Sequence, residues 1–168
     1  PLINVEELNK VIDISLSEQS TIDEDFTKAL KELVLATPKT ATNRFFNQLW
    51  GGRNGKAILG DLLAVMLNTS MYTYKISGPQ IGIEKEIISK VCKIIDYGKN
   101  SGGTFPTGGS MSNFMALIMA RDKRDALVPR SGIYKKMVAY TSKEAHYSNP
   151  KNVSFAGIGK DNLKYIST

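Results

Sequence analysis

Apolar positions near the start of the chain recur at the spacing of two amphipathic helices. The first spans Val5–Leu16, and the second spans Thr21–Ala36. Thr21 and Glu24 form a capping-box pattern at the start of the second helix, and Pro38 ends it. Acidic amphipathic helices of this kind usually pack on a partner surface, so we expect them to support an assembly rather than to carry chemistry.

Two further helices are predicted in the middle of the chain. Ala57–Leu67 is apolar on more than one side, which predicts a well-buried helix. Gly82–Tyr97 is amphipathic, and Cys92 in its apolar stripe is expected to be a small core residue rather than a nucleophile. Asn68–Gly78, between these helices, is predicted to be an irregular connection. The stripe residues predicted to face inward are Ile83, Ile87, Ile88, Val91 and Ile95.

The last third of the chain alternates helices with short strands. The first predicted element is a helix over 114–124, with Phe114, Leu117, Ile118 and Ala120 inward, and a strand over 137–141 follows it. Ser142 then caps a short predicted helix that holds Glu144, Ala145 and His146. The last two predicted elements are a turn or short strand over 155–159 and a strand over 163–167. This alternation indicates an α/β layer with a largely parallel sheet.

A glycine-rich turn precedes the helix predicted to begin at Phe114. Gly102–Asn113 contains four glycines and Ser110. Glycines let the backbone approach a ligand and adopt positive φ, and the first turn of a helix presents free N–H groups at its positive end. The turn therefore predicts a phosphate cradle, although it lacks the Gly-Lys-Ser/Thr and G-x-G-x-x-G patterns of nucleotide loops. The alternative is a capped helix with a tight turn and no ligand.

His146 is the single histidine of the chain and follows a predicted strand, where α/β proteins gather their ligands. A metal site is disfavoured because no clustered carboxylates accompany it, and a serine hydrolase is disfavoured because no G-x-S-x-G occurs. A proton donor or a plate that stacks on a flat cofactor remains. The alternative is a surface or packed histidine without a functional role.

The net charge of +6 is unevenly spread. Residues 1–37 hold three bases and eight acids, whereas residues 121–168 hold ten bases and four acids. A basic surface attracts nucleic acid or other polyanions, but these bases do not alternate with stacking aromatics. A solvated surface with anion pockets for small molecules is therefore favoured over nucleic-acid binding.

Composition narrows the class and the location of the protein. A length of 168 residues with 42% hydrophobic residues fits about one globular domain, and no apolar run approaches the ~18 residues of a membrane span. A lone cysteine, Cys92, excludes an internal disulfide and fits a reducing compartment. The start of the sequence shows no signal peptide. We therefore expect a cytoplasmic protein without a membrane partner.

Several motifs, in the same order and at the same spacing, resemble the pyridoxal-phosphate-dependent group II amino-acid decarboxylases, a family that includes glutamate, cysteine-sulfinate and aromatic-amino-acid decarboxylases. The resemblance runs from about Thr40 to the end and is weaker through the first two helices. The motifs are Arg44–Leu49, Asn68–Tyr74, Thr107–Asn113 with Ala120-Arg121, Ala145–Ser148 and Gly157–Gly159.

The resemblance implies an α/β fold, with amino-terminal helices followed by the first part of a fold type I large domain, a mostly parallel sheet flanked by helices. It implies a helical dimerisation segment over residues 1–64 and an incomplete cofactor-binding domain over 65–168. It also implies pyridoxal 5'-phosphate as cofactor, an amino-acid substrate and a homodimer with active sites at the interface.

The same resemblance assigns roles to individual residues. Gly108, Gly109 and Ser110 would bind the cofactor phosphate, in agreement with the cradle. His146 would be catalytic, stacking on the pyridine ring near the leaving carboxylate. The residues expected on the substrate-facing wall are Gln48, Trp50, Ser70 and Tyr72.

The substrate expected from the resemblance is a short acidic amino acid. The pair Ser70 and Tyr72 is more similar to cysteine-sulfinate decarboxylases than to animal glutamate decarboxylases, and the large indole of Trp50 would shorten the pocket. Cysteine sulfinate or aspartate is therefore favoured, with glutamate also open.

The family places its Schiff-base lysine, its pyridine-nitrogen aspartate and a carboxylate-binding arginine beyond the position that Thr168 matches. We therefore expect the 168 residues to be the amino-terminal part of such an enzyme and to be inactive alone. Two rival readings stay open, a non-catalytic assembly module that keeps the fold and, ranked lower, a basic nucleic-acid-binding domain.

Overall fold

The computed structural model of the chain describes residues 7, 10, 12–13, 18–20, 22–46, 49 and 51–167. The chain divides into two compact units, one that ends at Thr69 and one that spans Ser70–Thr168. The helix predicted over Val5–Leu16 falls mostly on residues outside this description. The domain assignment with a boundary after residue 64 stays a prediction.

The first helix whose bounds lie within the described residues, α1, spans Asp23–Ala36. Thr21, its predicted cap, lies outside the described residues, and Ile22 occupies the N-cap position without a side-chain hydrogen bond. The acidic residues in the first turn lie at the positive end of the helix, and their charge stabilises the end that lacks a side-chain cap. The helix ends where Thr37 donates its N–H and its hydroxyl to the carbonyl of Leu33, at 2.9 and 2.7 Å.

The second helix, α2, spans Gly55–Leu67, and Asn54 caps it by accepting from the backbone N–H groups of Lys56 and Ala57. The prediction that this helix is well buried is wrong. None of its residues is buried, and Met66 is 82% exposed. An all-round apolar sequence predicts burial only where something covers the helix, and the described part of its unit does not cover it.

The second unit begins with two helices, α3 over Tyr74–Ser77 and α4 over Pro79–Ile94. The stretch predicted to be irregular thus contains a helical turn, and α4 begins earlier than predicted because Pro79 suits the first turn of a helix. Cys92 is buried, as predicted. The five residues predicted to face inward are not buried, and Ile83 remains 60% exposed.

The α/β part of the second unit confirms the predicted fold class. Its elements are the helix α5 over Gly109–Arg124, the helix α6 over Val128–Ser131, the strand β1 over Ala139–Ser142, the helix α7 over Ser148–Phe155, a 3₁₀ turn over Lys160–Asn162 and the strand β2 over Leu163–Ile166. The two strands pair in parallel, from Ala139 opposite Leu163 to Ser142 opposite Ile166. The helix α7 is the crossover connection that parallel pairing requires.

The prediction of a short helix directly after Ser142 is wrong. Residues 143–146 form a turn, and the helix begins only at Ser148. Pro150 explains the shift, because it lacks an N–H and fits only in a first turn, where the N–H needs no partner within the helix.

The core of this unit lies between α5, α7 and β2. Its buried residues are Val153, Ala156, Ile158 and Leu163, and Phe114, Leu117 and Ile118 pack against them from α5. These three α5 residues face inward as predicted, whereas Ala120 is exposed. The rings of Phe114 and Phe155 meet edge to face with 6.4 Å between centroids.

The C-terminus of α7 is closed by a Schellman motif. Ile158 N–H donates to the carbonyl of Val153 at 3.0 Å, and Gly157 N–H donates to that of Ser154 at 3.1 Å. Gly157 has a φ of 76°, a left-handed conformation that favours glycine. The motif fixes the direction of α7 and so positions the residues at its other end.

An ionic cluster secures the chain after α5. Asp125 accepts hydrogen bonds from the Tyr134 hydroxyl and the Lys135 ammonium, both at 2.8 Å, and from Leu127 N–H at 3.1 Å. The hydrogen bond from Lys135 is the largest of several causes that lower the pKa of Asp125 from 3.8 to about 2. None of the helices in the described part of the chain is long and apolar enough to cross a membrane.

Candidate functional site

The N-terminus of α5 is an open turn with unused donors. The first bond within the helix runs from Ser112 N–H to the Gly108 carbonyl at 3.0 Å, so the N–H groups of Gly109, Ser110 and Met111 have no partner inside the helix. A Cβ added at Gly108 or Gly109 would meet nothing within 4 Å. The backbone of the turn is therefore not crowded at these two glycines.

The glycines of this turn do not use the positive φ that glycine permits. Gly108 is extended, with φ 161° and ψ 164°, and Gly102, Gly103 and Gly109 are also outside the left-handed region. The chain enters α5 directly from extended backbone and needs no left-handed residue. The glycines contribute open space rather than a special backbone conformation.

His146 follows β1 in the turn before α7. Its Nδ1 accepts a hydrogen bond from Ser148 N–H at 3.2 Å and lies 2.9 Å from Ser148 Oγ. The imidazole is exposed and leans on the ring of Tyr147, with 4.2 Å between centroids and 36° between planes. The ammonium of Lys151 lies 4.8 Å from the centre of that tyrosine ring. One edge of the imidazole is thus held by the protein while the ring stays accessible.

Two amide side chains tie the His146 turn to the N-terminus of α5. Asn113 Nδ2 donates to Ser148 Oγ at 3.0 Å, and Asn152 Nδ2 donates to the Ser110 carbonyl at 3.1 Å. The structure therefore brings Ser110 and His146 to the same end of the packed pair α5 and α7. The two strongest candidates of the sequence, which lie 36 residues apart, are thus neighbours in the fold.

Sequence reasoning missed the residues that make this link, Asn113, Ser148 and Asn152. A signal was available for two of them. Asn113 lies three residues after Ser110, on the same side of a helix, and Ser148 lies two residues after His146. A polar residue at such a spacing from a candidate site residue can be predicted to hydrogen-bond within the site.

The predicted substrate wall is only partly described. Ser70 and Tyr72 lie together, because Tyr72 N–H donates to Ser70 Oγ at 3.2 Å, and the Tyr72 side chain is 83% exposed. Gln48 and Trp50 lie outside the described residues. Within the residues described, no hydrogen bond joins Ser70 or Tyr72 to the turn at Gly108 or to His146. The substrate roles of all four residues stay predictions.

The donor set at α5 suits a phosphate group. It combines three backbone N–H groups, the Ser110 hydroxyl and the positive end of a 16-residue helix, with no acidic residue in the first turn to oppose an anion. No group of three or more potential metal ligands occurs among the residues that the structure describes.

Comparison with known families supports a single assignment. The family described as "Pyridoxal-dependent decarboxylase conserved domain" matches residues 1–168. The chain belongs to this family. The resemblance noted from the sequence motifs is thereby confirmed, and family membership implies pyridoxal 5'-phosphate as the cofactor, which the phosphate-binding character of the α5 turn fits.

Relatives within the pyridoxal-dependent decarboxylases are similar along almost the whole chain. A cysteine sulfinic acid decarboxylase from Mus musculus is 35% identical over 164 residues, covering 96% of this chain and 33% of that protein. The acidic amino acid decarboxylase GADL1 of Xenopus tropicalis is 32% identical over 165 residues, covering 97% and 32%. The chain therefore spans about a third of the length of these curated relatives.

Solved structures support the family fold. The crystal structure of mouse CSAD superposes with a TM-score of 0.91 at 33% identity, covering 99% of this chain and 35% of that one. The tryptophan decarboxylase of Catharanthus roseus, at 22% identity and a TM-score of 0.81, covers 99% of this chain and 37% of its own and shows the shared fold alone. The fold of this chain thus matches about a third of each of these longer chains.

Proposed function

We propose that the intact protein is a pyridoxal-phosphate-dependent decarboxylase of a short acidic L-amino acid, releasing CO2. The observation that carries the proposal is the pair of links between α5 and α7: Asn113 donates to Ser148, which holds His146, and Asn152 donates to the Ser110 carbonyl. These links support the proposal because they bring the N-terminus of a helix and an exposed imidazole to one end of the packed pair α5 and α7. The names of the two relatives, cysteine sulfinic acid decarboxylase and acidic amino acid decarboxylase, support the substrate class.

The α5 turn is proposed to hold the cofactor by its phosphate. Gly108 and Gly109 leave room for the phosphate to approach the backbone, and the N–H groups of the first turn with the Ser110 hydroxyl donate to it. When bound, the cofactor supplies an electron-withdrawing ring that stabilises the charge left as CO2 departs.

His146 is proposed as the catalytic residue that contacts the cofactor ring. Its exposed imidazole is flat, and its Nδ1 edge is held by Ser148, so the ring has a fixed orientation toward a ligand. In this position it orients the substrate next to the departing carboxylate and excludes water from that side.

Substrate choice is proposed to rest on Gln48, Trp50, Ser70 and Tyr72, with Trp50 shortening the pocket. The test is an assay of the intact protein, with the cofactor supplied, for CO2 release from cysteine sulfinate, aspartate and glutamate. We expect release that depends on the cofactor and is faster with cysteine sulfinate or aspartate. Clear preference for glutamate contradicts the substrate assignment, and no release from any of the three contradicts the proposed activity.

The matched variant for the substrate test is Trp50→Phe, which retains an aromatic wall but is smaller. We expect it to raise the relative kcat/KM for glutamate, because a smaller side chain lengthens the pocket. An unchanged ratio of kcat/KM values between glutamate and aspartate contradicts the role given to Trp50.

Homodimer formation and a cytoplasmic location are also proposed. The acidic amphipathic character of α1 and the exposed apolar residues of α2 support assembly with further protein surface. The lone, buried Cys92 supports a reducing compartment.

A further inference from the structure

The Nδ1 atom of His146 faces two donors from one residue. The backbone N–H of Ser148 points at it over 3.2 Å, and the Ser148 hydroxyl oxygen lies 2.9 Å away. A backbone N–H can only donate, so Nδ1 must present its lone pair. A neutral imidazole that accepts at Nδ1 carries its proton on Nε2.

The Ser148 hydroxyl is arranged to support the same state. Ser148 is 1% exposed, so its hydroxyl cannot exchange partners with bulk water. Its oxygen accepts from Asn113 Nδ2 at 3.0 Å, which leaves the hydroxyl hydrogen to point toward Nδ1. The order of donors, from Asn113 to Ser148 to His146, therefore runs in one direction.

We propose that Ser148, through its backbone N–H and its hydroxyl, fixes the neutral form of His146 as the tautomer with its proton on Nε2, and that Asn113 is a positioning residue that keeps this hydroxyl in the donor role. The Nε2–H then lies on the edge of the ring that Ser148 does not hold, where it donates to an anionic oxygen. The relevance of this donor to catalysis rests on the proposed function, in which the anionic oxygen belongs to the carboxylate of an amino-acid substrate.

The direction of the chain of donors depends on Asn113 being an amide. An aspartate at this position can only accept, so it would draw the Ser148 hydroxyl hydrogen toward itself. The Ser148 oxygen would then offer a lone pair to Nδ1 and favour a proton there. An alanine removes the amide but leaves the hydroxyl hydrogen free to point at Nδ1.

The test is ¹⁵N NMR of the intact protein labelled with [¹⁵N]histidine, without cofactor, with the His146→Phe variant used to assign the two His146 signals. In the native protein we expect an imine-type signal from Nδ1 and a pyrrole-type signal from Nε2. Asn113→Asp is expected to lose a large part of the imine-type Nδ1 signal, whereas Asn113→Ala and Ser148→Ala retain it through the backbone N–H.

Asn149→Asp is the matched control for added charge. Asn149 follows Ser148 in the first turn of α7, but its amide donates to Thr141 Oγ1 at 3.1 Å and not to Ser148 or His146. It introduces the same change of amide to carboxylate and is expected to leave the Nδ1 signal unchanged.

Two results overturn the inference: a protonated Nδ1 in the native protein, or an Asn113→Asp spectrum that matches the Asn149→Asp spectrum. Cofactor binding, followed separately by visible absorbance, distinguishes this failure from failure of the proposed function. Native tautomer signals as expected without cofactor binding would refute the function alone. Cofactor binding with a protonated Nδ1 would refute the inference alone.

Discussion

The imidazole of His146 combines a flat face with one edge bound to Ser148, and these two features make separable contributions. Stacking on a ring depends on the flat face and is worth about 0.5–1.5 kcal/mol. Proton donation depends on the free nitrogen and contributes about 10²–10⁴-fold to a rate. Replacing His146 by different side chains therefore separates them.

His146→Phe and His146→Ala form the pair of variants that tests these contributions. Phe retains a stacking ring, so the Kd for pyridoxal 5'-phosphate is expected to remain close to the native value while kcat falls by roughly 10²-fold or more. Ala is expected to weaken cofactor binding roughly two- to tenfold in addition. Equal cofactor affinities for the two variants would argue against stacking.

Asp125 is expected to make stability dependent on acidic pH. Its pKa is about 2 in the folded protein against an ordinary 3.8, so the folded state binds fewer protons. Its stabilising contribution is therefore complete above 3.8 and is lost as the pH falls through about 2. Urea unfolding should show that Asp125→Asn destabilises at neutral pH and that the difference shrinks on acidification. A difference independent of pH would show that the ion pair with Lys135 is not its cause.

Individual site residues could be predicted from the sequence to the extent that their chemistry is local. A glycine-rich turn before a helix and a single histidine after a strand can be recognised from residue type alone. The bonds from Asn113 to Ser148 and from Asn152 to Ser110 could not be predicted, because they depend on how α5 and α7 pack. The substrate roles of Gln48 and Trp50 rest on the resemblance to family positions alone.

At the scale of elements, the Schellman motif after α7 is the feature most sensitive to a single substitution. Gly157 is left-handed, and a Cβ there would also lie 3.3 Å from Ile133 Cδ1. Gly157→Ala is therefore expected to destabilise the protein by about 1–2 kcal/mol, since a left-handed residue with a Cβ costs that much. The measurement is urea unfolding followed by circular dichroism, and we expect a lower midpoint for the variant.

Gly60→Ala is the matched control for Gly157→Ala. Gly60 lies inside α2, and a Cβ there meets nothing within 4 Å. Alanine is expected to leave stability unchanged or to raise it by about 0.5–1 kcal/mol. Loss of stability at Gly60 equal to that at Gly157 would contradict the conformational explanation.

Elements with a strong local pattern were predictable, and those set by their surroundings were not. The helices α1 and α4, the inward face of α5 and both strands follow from the spacing of apolar residues. The helix α7 was missed because its sequence, with Pro150 and several polar residues, lacks a clear stripe. The burial of α2 was predicted wrongly because burial depends on what covers a helix, which no local pattern records.

At the scale of the whole molecule, the exposed apolar residues of α2 are the largest departure from an isolated globular chain. A helix that is apolar all round is stable in water only when it is covered. We therefore expect Met66 to be shielded in the intact protein, although it is 82% exposed here. The cover is expected to come from further protein surface.

Thiol labelling of Met66→Cys in the intact protein tests this expectation, since the native Cys92 is buried. Labelling is expected to be much slower than in Lys160→Cys, which introduces the thiol at an exposed polar position. Equal labelling rates would mean that α2 stays open to solvent. Labelling of both variants in urea shows that the two thiols react alike once the protein is unfolded.

The central claim is that the α5 turn binds the phosphate of the cofactor, and its most direct test is the difference in Kd between pyridoxal 5'-phosphate and pyridoxal. Ser110→Ala in the intact protein removes one donor at a position where alanine suits the helix. We predict that it weakens pyridoxal 5'-phosphate roughly ten- to hundredfold, because a hydrogen bond to a charged group is worth about 1.5–3 kcal/mol, and leaves pyridoxal unchanged. Equal Kd changes for both ligands, or none for either, would contradict the account.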